Sequence, residues 1–495
     1  MTALQATRHD APHENPHHAK RWWILFVLSF AQLMVVLDAT IVNIALPSAQ
    51  QSLGFSDADR QWIVTSYALS FGSLLLLGGR ISDIFGRKWT FVGGLLGFAA
   101  ASAVGGAAES FGVLVAARVG QGVFGALLAP AALSLVTTTF TDDAERAKAF
   151  GVFSAVAGGG GAIGLILGGV LTEQLSWRWC LYVNLVFAVP AALAAVRLLV
   201  NQAASTRSHL DLPGALLVTA GLFALVYGVS NVETSSWTDG TTVGFLVAGV
   251  VLLAAFVLHE RRAAHPLLPL RILLDRDRGA SYIAVGVGAM GIFGVFLFLT
   301  YYLQQTKGYS PIETGFAFMP MSFGLILSAV TGSAVLVPRL GRRVIVGVGM
   351  LGAAAGMVLL AQIDMDSSFL TGVAPGLVVL GLGVGAVFGA AFSGGTVGVD
   401  ERDAGVASAT VNTFQQVFGS FGTALLSTIF ASAVSDALAD RGPGRLAAQL
   451  ASIDGYTTAF WWSAAIFGAG AIITILLYRP GQPVHETGGA PVLAH

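Results

Sequence analysis

Two charged side chains lie inside apolar stretches that are long enough to cross a lipid bilayer. Asp38 falls in the apolar run 23–46, and Arg118 falls in the run 112–136. An acid in hydrocarbon costs roughly 2.5–3.5 kcal/mol on insertion scales unless it faces a cavity or a partner. At about 1.5 Å per helical residue, Asp38 lies about 22 Å from one surface of a layer about 30 Å thick, and Arg118 about 9 Å from the other surface. The two residues therefore reach a similar depth, and we predict that they share one polar environment.

Two roles fit such a pair. Intramembrane acids usually mark an ion or substrate path, and a nearby cation stabilises a carboxylate until protonation releases the cation. This chemistry would make Asp38 the proton-binding group and Arg118 its partner in proton coupling. The alternative is a permanent buried ion pair that only fixes helix packing.

Other chemistry finds little support in the sequence. Each of the four lysines lacks the preceding glycine of a phosphate-binding loop, and no span carries a metal-ligating constellation or a nucleophile beside a base. We therefore expect no enzyme activity, no metal and no cofactor. A proton gradient is the expected energy source, since one charge that crosses 100 mV gains about 2.3 kcal/mol.

The composition is typical of a polytopic membrane protein. Of the 495 residues, 55% are hydrophobic and 11% are charged, and the net charge of −1 gives no indication of nucleic acid as a partner. The single cysteine, Cys180, excludes a disulfide framework within one chain. We therefore expect an all-α fold embedded in a lipid bilayer.

Apolar windows of about 20 residues predict about 14 transmembrane helices. They lie near 23–46, 62–79, 89–108, 112–136, 148–172, 180–200, 212–230, 243–259, 280–304, 314–337, 344–362, 370–393, 405–433 and 458–478. With a cytoplasmic N-terminus, 20 Lys and Arg residues fall on the inner side and 5 on the outer side. The positive-inside rule therefore predicts a multi-pass protein of the cell membrane with both termini in the cytoplasm.

An internal repeat divides the chain into two pseudo-symmetric halves. The stretch 340–343 lies 255 positions beyond 85–88, and Asp403 with the next residue lies 256 positions beyond 147–148. These offsets predict a 6 + 2 + 6 arrangement of helices. Its parts are a disordered tail 1–20, a six-helix bundle 21–200, an inserted pair with its connecting loops 201–262, a second six-helix bundle 263–480 and a tail 481–495. We also expect a short interfacial helix in the outer loop 435–456, whose leucines are spaced for one.

The stretch 78–88 predicts a short polar turn between the second and third spans, because its glycines permit a tight reversal. Asp83 precedes Arg87 by four residues, within pairing reach if the turn is helical. The pattern consists of Gly79, Asp83, Gly86, Arg87 and Lys88. It resembles the signature cytoplasmic loop of the major facilitator superfamily. The resemblance implies a conformational latch, with Asp83 facing the start of the thirteenth helix near Ala404 in the outward-open state.

The fourth and fifth spans resemble further motifs of that superfamily. Arg118 followed by Gln121 and small residues is similar to the fourth-helix motif, which implies a role in proton transfer for Arg118. The fifth span contains a glycine series similar to the antiporter motif, formed by Gly161, Gly164, Gly168 and Gly169. The chain departs from this motif at Leu165, where the family usually has proline. Stripes of small residues also let membrane helices pack closely whatever the protein does.

Shorter matches are spread along the chain at 176–179 with Asn184, at 301–305 with 308–311, and at 412–416. The ordered set resembles the fourteen-helix drug:proton antiporter branch, the multidrug and antibiotic-efflux group with actinobacterial members. It implies secondary export of an amphipathic drug in exchange for protons by alternating access, performed by a monomer. A passive facilitator or importer of the same fold is the alternative, since Leu165 breaks the antiporter motif and fold does not fix function.

Buried amides and aromatic rings are the candidates for a substrate cavity. Amides in a bilayer need partners, and ordinary interhelical hydrogen bonds are an equally good explanation for them. The candidate residues are Asn43, Tyr67, Gln121, Tyr301, Gln304, Asn412, Gln415 and Gln416.

Overall fold

Long apolar runs of this chain form helices because a bilayer core offers no water to satisfy backbone N–H and C=O groups. The computed structural model describes residues 18–55, 57–200, 211–232, 235–264, 266–400, 403–442 and 444–480. The predicted tail 481–495 lies outside the described residues. Of the predicted tail 1–20, the described part is one helical turn, His18–Lys20.

Seventeen α-helices follow one another in the described chain. The first eight are α1 (Arg21–Leu53), α2 (Asp57–Phe85), α3 (Arg87–Gly106), α4 (Phe111–Thr139), α5 (Asp143–Gln174), α6 (Trp179–Leu198), α7 (Leu212–Asn231) and α8 (Gly240–Glu260). The others are α9 (Leu270–Leu274), α10 (Arg276–Tyr301), α11 (Pro311–Ala317), α12 (Met319–Thr331), α13 (Val337–Leu340), α14 (Arg342–Leu360), α15 (Ala374–Gly394), α16 (Ala404–Arg441) and α17 (Arg445–Leu477).

Thirteen of the described helical segments are long and apolar enough to cross a membrane. The helix α5, which is 32 residues long, packs along α1 and α12 and completes the predicted number of about 14. The predicted all-α membrane fold is therefore confirmed. Some spans are composite. A π-helical turn at Tyr302–Thr306 extends α10, and another at Gly332–Leu336 joins α12 to α13.

Two groups of helices pack around separate interiors. In the first group α1 contacts α5 and α6, while α4 contacts α2 and α3; in the second, α15 contacts α12 and α14, while α16 contacts α10 and α17. The groups meet where α2 contacts α16 and where α5 contacts α12. The helices α7 and α8 pack on each other, and α7 contacts both α2 and α16. The intervening pair therefore lies against a boundary between the two groups.

The internal repeat is visible in the backbone at two glycines. Gly86 has φ 92° between α2 and α3, and Gly341 has φ 80° between α13 and α14. Such positive φ values favour glycine, which has no Cβ to clash. The predicted polar turn over 78–88 is wrong in extent, because α2 continues to Phe85 and the chain reverses at Gly86 alone.

The predicted interfacial helix at 435–456 is also wrong. The helix α16 continues to Arg441 and α17 begins at Arg445, so the apolar residues of this segment extend the two long helices. An ion pair joins Arg441 NH1 to Asp454 Oδ2 at 2.5 Å across the two helices. Gly442, with φ 74°, ends the first of them.

We predict that Gly78→Ala destabilises the protein. A Cβ at Gly78 would lie 2.1 Å from the carbonyl oxygen of Ala126 on α4, so the two helices would have to separate. Overpacking of this kind costs about 1–3 kcal/mol. Thermal unfolding in detergent measures the loss. Gly93→Ala is the matched control, because a Cβ there meets nothing within 4 Å and alanine favours the helix. Equal unfolding temperatures for the two variants would contradict the prediction.

Candidate functional site

The side chains of Asp38 on α1 and Arg118 on α4 form a buried ion pair. Arg118 NH1 donates to Asp38 Oδ2 at 2.6 Å. The Asp38 side chain is 0% exposed and the Arg118 side chain is 1% exposed. The structure thus brings together the two charged residues that sequence spacing placed at a similar depth.

Uncharged side chains on α3, α4 and α6 complete the network. Gln121 Nε2 donates to Asp38 Oδ1 at 2.8 Å, and Asn184 Nδ2 on α6 donates to the same oxygen at 2.6 Å. Both amides also donate to the hydroxyl of Ser102 on α3, at 2.8 and 3.2 Å. The Asp38 carboxylate therefore receives hydrogen bonds from three side chains at once.

Arg118 has three further contacts that hold its guanidinium in place. Its NH1 donates to Gln121 Oε1 at 2.8 Å, and its Nε donates to the carbonyl of Ile63 on α2 at 3.0 Å. Its Cζ lies 4.4 Å from the centre of the Tyr67 ring, a cation–π distance. The ion pair is thereby attached to α1, α2, α3, α4 and α6.

Hydrogen bonds from the two amides offset part of the cost of burying this ion pair. Two desolvated charges are costly to bury unless their remaining donors and acceptors are satisfied, and here the amides of Gln121 and Asn184 meet that need. A proton on Asp38 would neutralise the carboxylate and remove its charge attraction to Arg118.

The sequence identified part of this site. Gln121 and Tyr67 were expected in a substrate cavity, but the structure places both in the ion-pair network, where they are 0% and 4% exposed. Asn184 and Ser102 were not predicted as site residues. Asn184 gave a weak signal as an amide near the start of an apolar span, whereas Ser102 gave none, because a serine can bond its own helix backbone.

The predicted antiporter glycines lie along α5 where other helices approach closely. A Cβ at Gly164 would lie 2.0 Å from Thr40 Oγ1, and one at Gly168 would lie 3.0 Å from Ile41 on the same helix, α1. A Cβ at Gly161 would meet the ring of Phe296 on α10 at 3.0 Å. Gly169 is buried on the same helix. The glycines therefore serve close packing, including packing between the two groups of helices.

The predicted latch residues lie at the junction of α2 and α16. The backbone N–H of Gly405 donates to Asp83 Oδ1 at 3.1 Å, and Arg87 NH2 lies 3.9 Å from the same oxygen. A Cβ at Gly79 would meet Ala409 Cβ at 2.7 Å, so glycine allows the two helices to approach. Asp83 thus lies against the first turn of α16, next to Ala404. We call the end of the bundle that holds this contact the latch end.

Two more contacts occur at the latch end. Lys88 Nζ donates to the carbonyl of Val196 at 2.8 Å, which joins the start of α3 to the end of α6. Ser333 Oγ donates to the carbonyl of Ala147 on α5 at 3.0 Å. The two groups of helices are therefore in contact at this end both through α2 and through α5.

The remaining cavity candidates are distributed over α10 and α16. Tyr301 is 38% exposed, and the buried Gln304 Nε2 in the following π turn has no partner among the described residues. Asn412 Nδ2 donates to the carbonyl of Ser408 in its own helix at 2.9 Å. Gln415 and Gln416 are half-buried on α16. The side chain of the last candidate, Asn43, lies outside the described residues.

One group of potential metal ligands occurs in the described part of the chain, formed by Asp211, His259 and Glu260 within 4.8 Å. The Gly214 amide donates to Asp211, and the Leu267 and Leu268 amides donate to Glu260. Burial favours the neutral acid, but the bonds from Gly214 and His259 outweigh it and lower the pKa of Asp211. These groups are thus used to join the start of α7 to the end of α8.

The chain matches known transporters over most of its length. A family model described as Major Facilitator Superfamily matches residues 28–423. A puromycin resistance protein of Streptomyces alboniger is 47% identical, covering 96% of this chain and 94% of that protein. A cephamycin export protein of Amycolatopsis lactamdurans is 37% identical over 90% of both chains. A tetracenomycin C resistance and export protein of Streptomyces glaucescens is 34% identical, covering 88% of this chain and 82% of that protein.

A solved structure shares the fold. The crystal structure of a human organic anion transporter superimposes with a TM-score of 0.63, at 15% identity, covering 92% of this chain and 99% of that chain. At this level of identity the likeness is one of architecture alone.

We predict that Arg118→Leu destabilises the protein by about 3–5 kcal/mol, because it leaves the buried Asp38 carboxylate without its counter-charge. The double variant Asp38→Asn/Arg118→Leu should recover much of that loss, since neither charge then remains. Thermal unfolding in detergent compares the variants.

The matched control is Arg21→Leu. Arg21 pairs with Glu145 at 2.7 Å, but these side chains are 20% and 28% exposed, and such pairs contribute about 0–1 kcal/mol. A double variant as unstable as Arg118→Leu alone would mean that Arg118 acts through packing and not through its charge.

Proposed function

The chain belongs to the Major Facilitator Superfamily, and we propose that it exports amphipathic antibiotics across the cell membrane in exchange for protons. It is a transporter and not an enzyme. The names of its relatives refer to resistance to, or export of, three different antibiotics, which supports small-molecule export as the activity. The buried pair of Asp38 and Arg118 is the observation on which the proton-coupled mechanism rests.

The orientation proposed from the sequence places both termini and the latch end in the cytoplasm. It rests on the 20 to 5 distribution of Lys and Arg. The contacts of Asp83 with Gly405 and of Ser333 with Ala147 then close the cytoplasmic side. In this arrangement a drug-binding region between the halves would face the outside.

Proton binding at Asp38 would act on several helices at once. Neutralising the carboxylate releases Arg118, whose Nε also bonds the Ile63 carbonyl on α2. The same helix carries Asp83 at its other end. We therefore propose that α2 transmits the protonation state of the site to the latch, with no cofactor beyond the proton gradient.

Alternating access would be a movement of the two halves against each other. We propose that residues 21–200 and 263–480 are these halves and that 201–262 forms the inserted pair. The contacts of α7 with both α2 and α16 support a bridging role for this pair. Trp237, between α7 and α8, strengthens the bridge, because its Nε1 donates to Thr428 Oγ1 on α16 at 3.0 Å.

The substrate region is proposed to lie where the halves meet. Tyr301 ends α10 and Gln304 lies in the following π turn. The other candidates lie on α16, the helix that contacts α2, and are Asn412, Gln415 and Gln416. An exposed ring beside amides suits an amphipathic molecule, which needs both apolar area and a few polar partners. The transporter is proposed to work as a monomer.

We predict that vesicles containing the protein release or take up protons when an antibiotic is transported, and that Asp38→Asn abolishes this coupling while drug binding is retained. The asparagine keeps the size and the acceptor oxygen but cannot exchange a proton. Proton movement is measured with a pH-sensitive dye, using a panel that begins with puromycin. The control Asp436→Asn makes the same change at an exposed acid on α16 and should transport normally.

Drug flux without any proton movement would instead support the passive facilitator. An unaffected Asp38→Asn variant with intact coupling would place the proton site elsewhere.

We predict that Asp83→Asn slows turnover more than it weakens drug affinity. The Asp83 carboxylate accepts a hydrogen bond at the N-terminus of α16, where a negative charge contributes about 0.5–2 kcal/mol. Its loss should shorten the lifetime of the closed cytoplasmic side by roughly two- to thirtyfold. Transport rates in vesicles and drug binding in detergent separate the two effects. Unchanged transport rates would argue against a latch.

A further inference from the structure

A narrow crevice lies inside the first group of helices, directly beyond Asp38 on the side away from the latch end. Its walls come from four helices that also hold the ion-pair network. Val42 lies one turn beyond Asp38 on α1, and Leu114 lies one turn before Arg118 on α4. Ile63, whose carbonyl bonds Arg118, is a third lining residue. The lining therefore begins about one helical turn from the ion pair.

The lining of the crevice is apolar. Besides these residues it includes Leu46 on α1 and Leu181 on α6. All of these side chains belong to a small hydrophobic cluster that is separate from the main core of the protein. Narrow hydrophobic passages can exclude water and open by becoming wet.

Trp177, which is 6% exposed, lines the crevice from the connection between α5 and α6. The guanidinium of Arg178 lies 4.6 Å from the Trp177 ring centre. Arg178 NH1 also donates to the carbonyls of Gly106 and Ala108, at 3.0 and 2.5 Å. Arg178 thus fixes Trp177 to the connection between α3 and α4.

The Asp38 carboxylate points into the first group of helices and not towards the boundary between the two groups. Its hydrogen-bond partners come from α4 and α6. Thr40, two residues further along α1, lies against Gly161 and Gly164 on α5. Gly161 also lies against the ring of Phe296 in the second group. The titratable groups around the Asp38 carboxylate are Arg118 on α4, Tyr67 on α2 and Cys180 on α6.

We propose that protons reach Asp38 from the outside through this crevice, within the N-terminal half, while the drug uses the region between the halves. Trp177 with Arg178 acts as the lid, and the ring of Val42, Leu46, Ile63, Leu114 and Leu181 acts as the hydrophobic gate. Proton and drug then bind at separate places and affect each other through the helices that connect them. This inference rests on the proposed proton exchange.

The test is the rate at which Asp38 takes up a proton after the outside of drug-free vesicles is acidified rapidly. The component of proton uptake that belongs to Asp38 is the one that Asp38→Asn abolishes. Ala45 lines the crevice, so Ala45→Leu should fill it and slow this component by about tenfold, the effect of one additional barrier of about 1.4 kcal/mol. The number of protons bound and the affinity for drug should stay the same. Ala107→Leu, the same change at an exposed residue of the same end, should have no effect.

A second variant changes the rate in the opposite direction. Arg178→Gln releases Trp177, so proton uptake should become faster. Cys180, the one cysteine of the chain, also lines the crevice and is 0% exposed. Its reaction with N-ethylmaleimide should therefore accelerate in Arg178→Gln, and the variant with Cys180→Ala added should show no labelling.

The outcomes distinguish the two proposals. If wild-type vesicles show no drug-dependent proton movement, the proposed antiport fails. If the wild type couples drug and proton but Ala45→Leu and Arg178→Gln both leave the rate of proton uptake unchanged, the antiport stands and the route through the crevice is wrong.

Discussion

The buried ion pair of Asp38 and Arg118 sets the conditions that the surrounding helices must satisfy. Two charges removed from water require both mutual contact and partners for every remaining donor and acceptor, or the cost of burial exceeds the attraction. The chain meets this requirement with side chains of α3, α4 and α6 and with a backbone carbonyl of α2. Because each partner belongs to a different element, the network fixes the relative positions of most helices in the N-terminal half.

The contacts between the two halves are of a different kind. Gly79 brings α2 close to α16, and Gly161 lets the ring of Phe296 on α10 reach α5. The polar contacts described between the halves at the latch end are a backbone N–H bonded to Asp83 and the Ser333 hydroxyl bonded to a carbonyl. Single hydrogen bonds contribute about 0.5–1.5 kcal/mol each, far less than separating a buried ion pair. The halves are therefore better suited to move against each other than to deform internally.

The sequence predicted those parts of the site that depend on charge and on helix geometry. A charge in an apolar run is conspicuous, and the fixed rise of a helix gives its depth, so the proximity of Asp38 and Arg118 could be inferred. Asn184 could not be ranked above the other buried amides, because an amide satisfies its hydrogen bonds equally well in several surroundings. Ser102 is still less visible in a sequence, since serine in a helix usually bonds its own backbone.

Helix ends were predicted less well than helix positions, because contacts with other helices decide where these helices end. Residues 78–85 contain glycine and charge, yet they remain helical because Gly78 and Gly79 pack against α4 and α16. The reversal needs a positive φ, which Gly86 supplies. Likewise, the leucines of 435–456 have a spacing that fits a surface helix and an extended membrane helix equally. Tertiary contact, such as the ion pair of Arg441 with Asp454, decides between them.

The position of Asp38 bears on how the proposed coupling would work. Its partners in the network all belong to the N-terminal half, so in the proposed antiport a proton there would not displace a drug by direct contact between the halves. The proposed link is mechanical, and α2 is suited to it, because the helix contacts Arg118 through the Ile63 carbonyl and α16 through Asp83. These two residues are 20 positions apart, or about 30 Å along a helix axis. A continuous helix of that length with a polar contact near each end can convert a local change of charge into movement at the opposite surface.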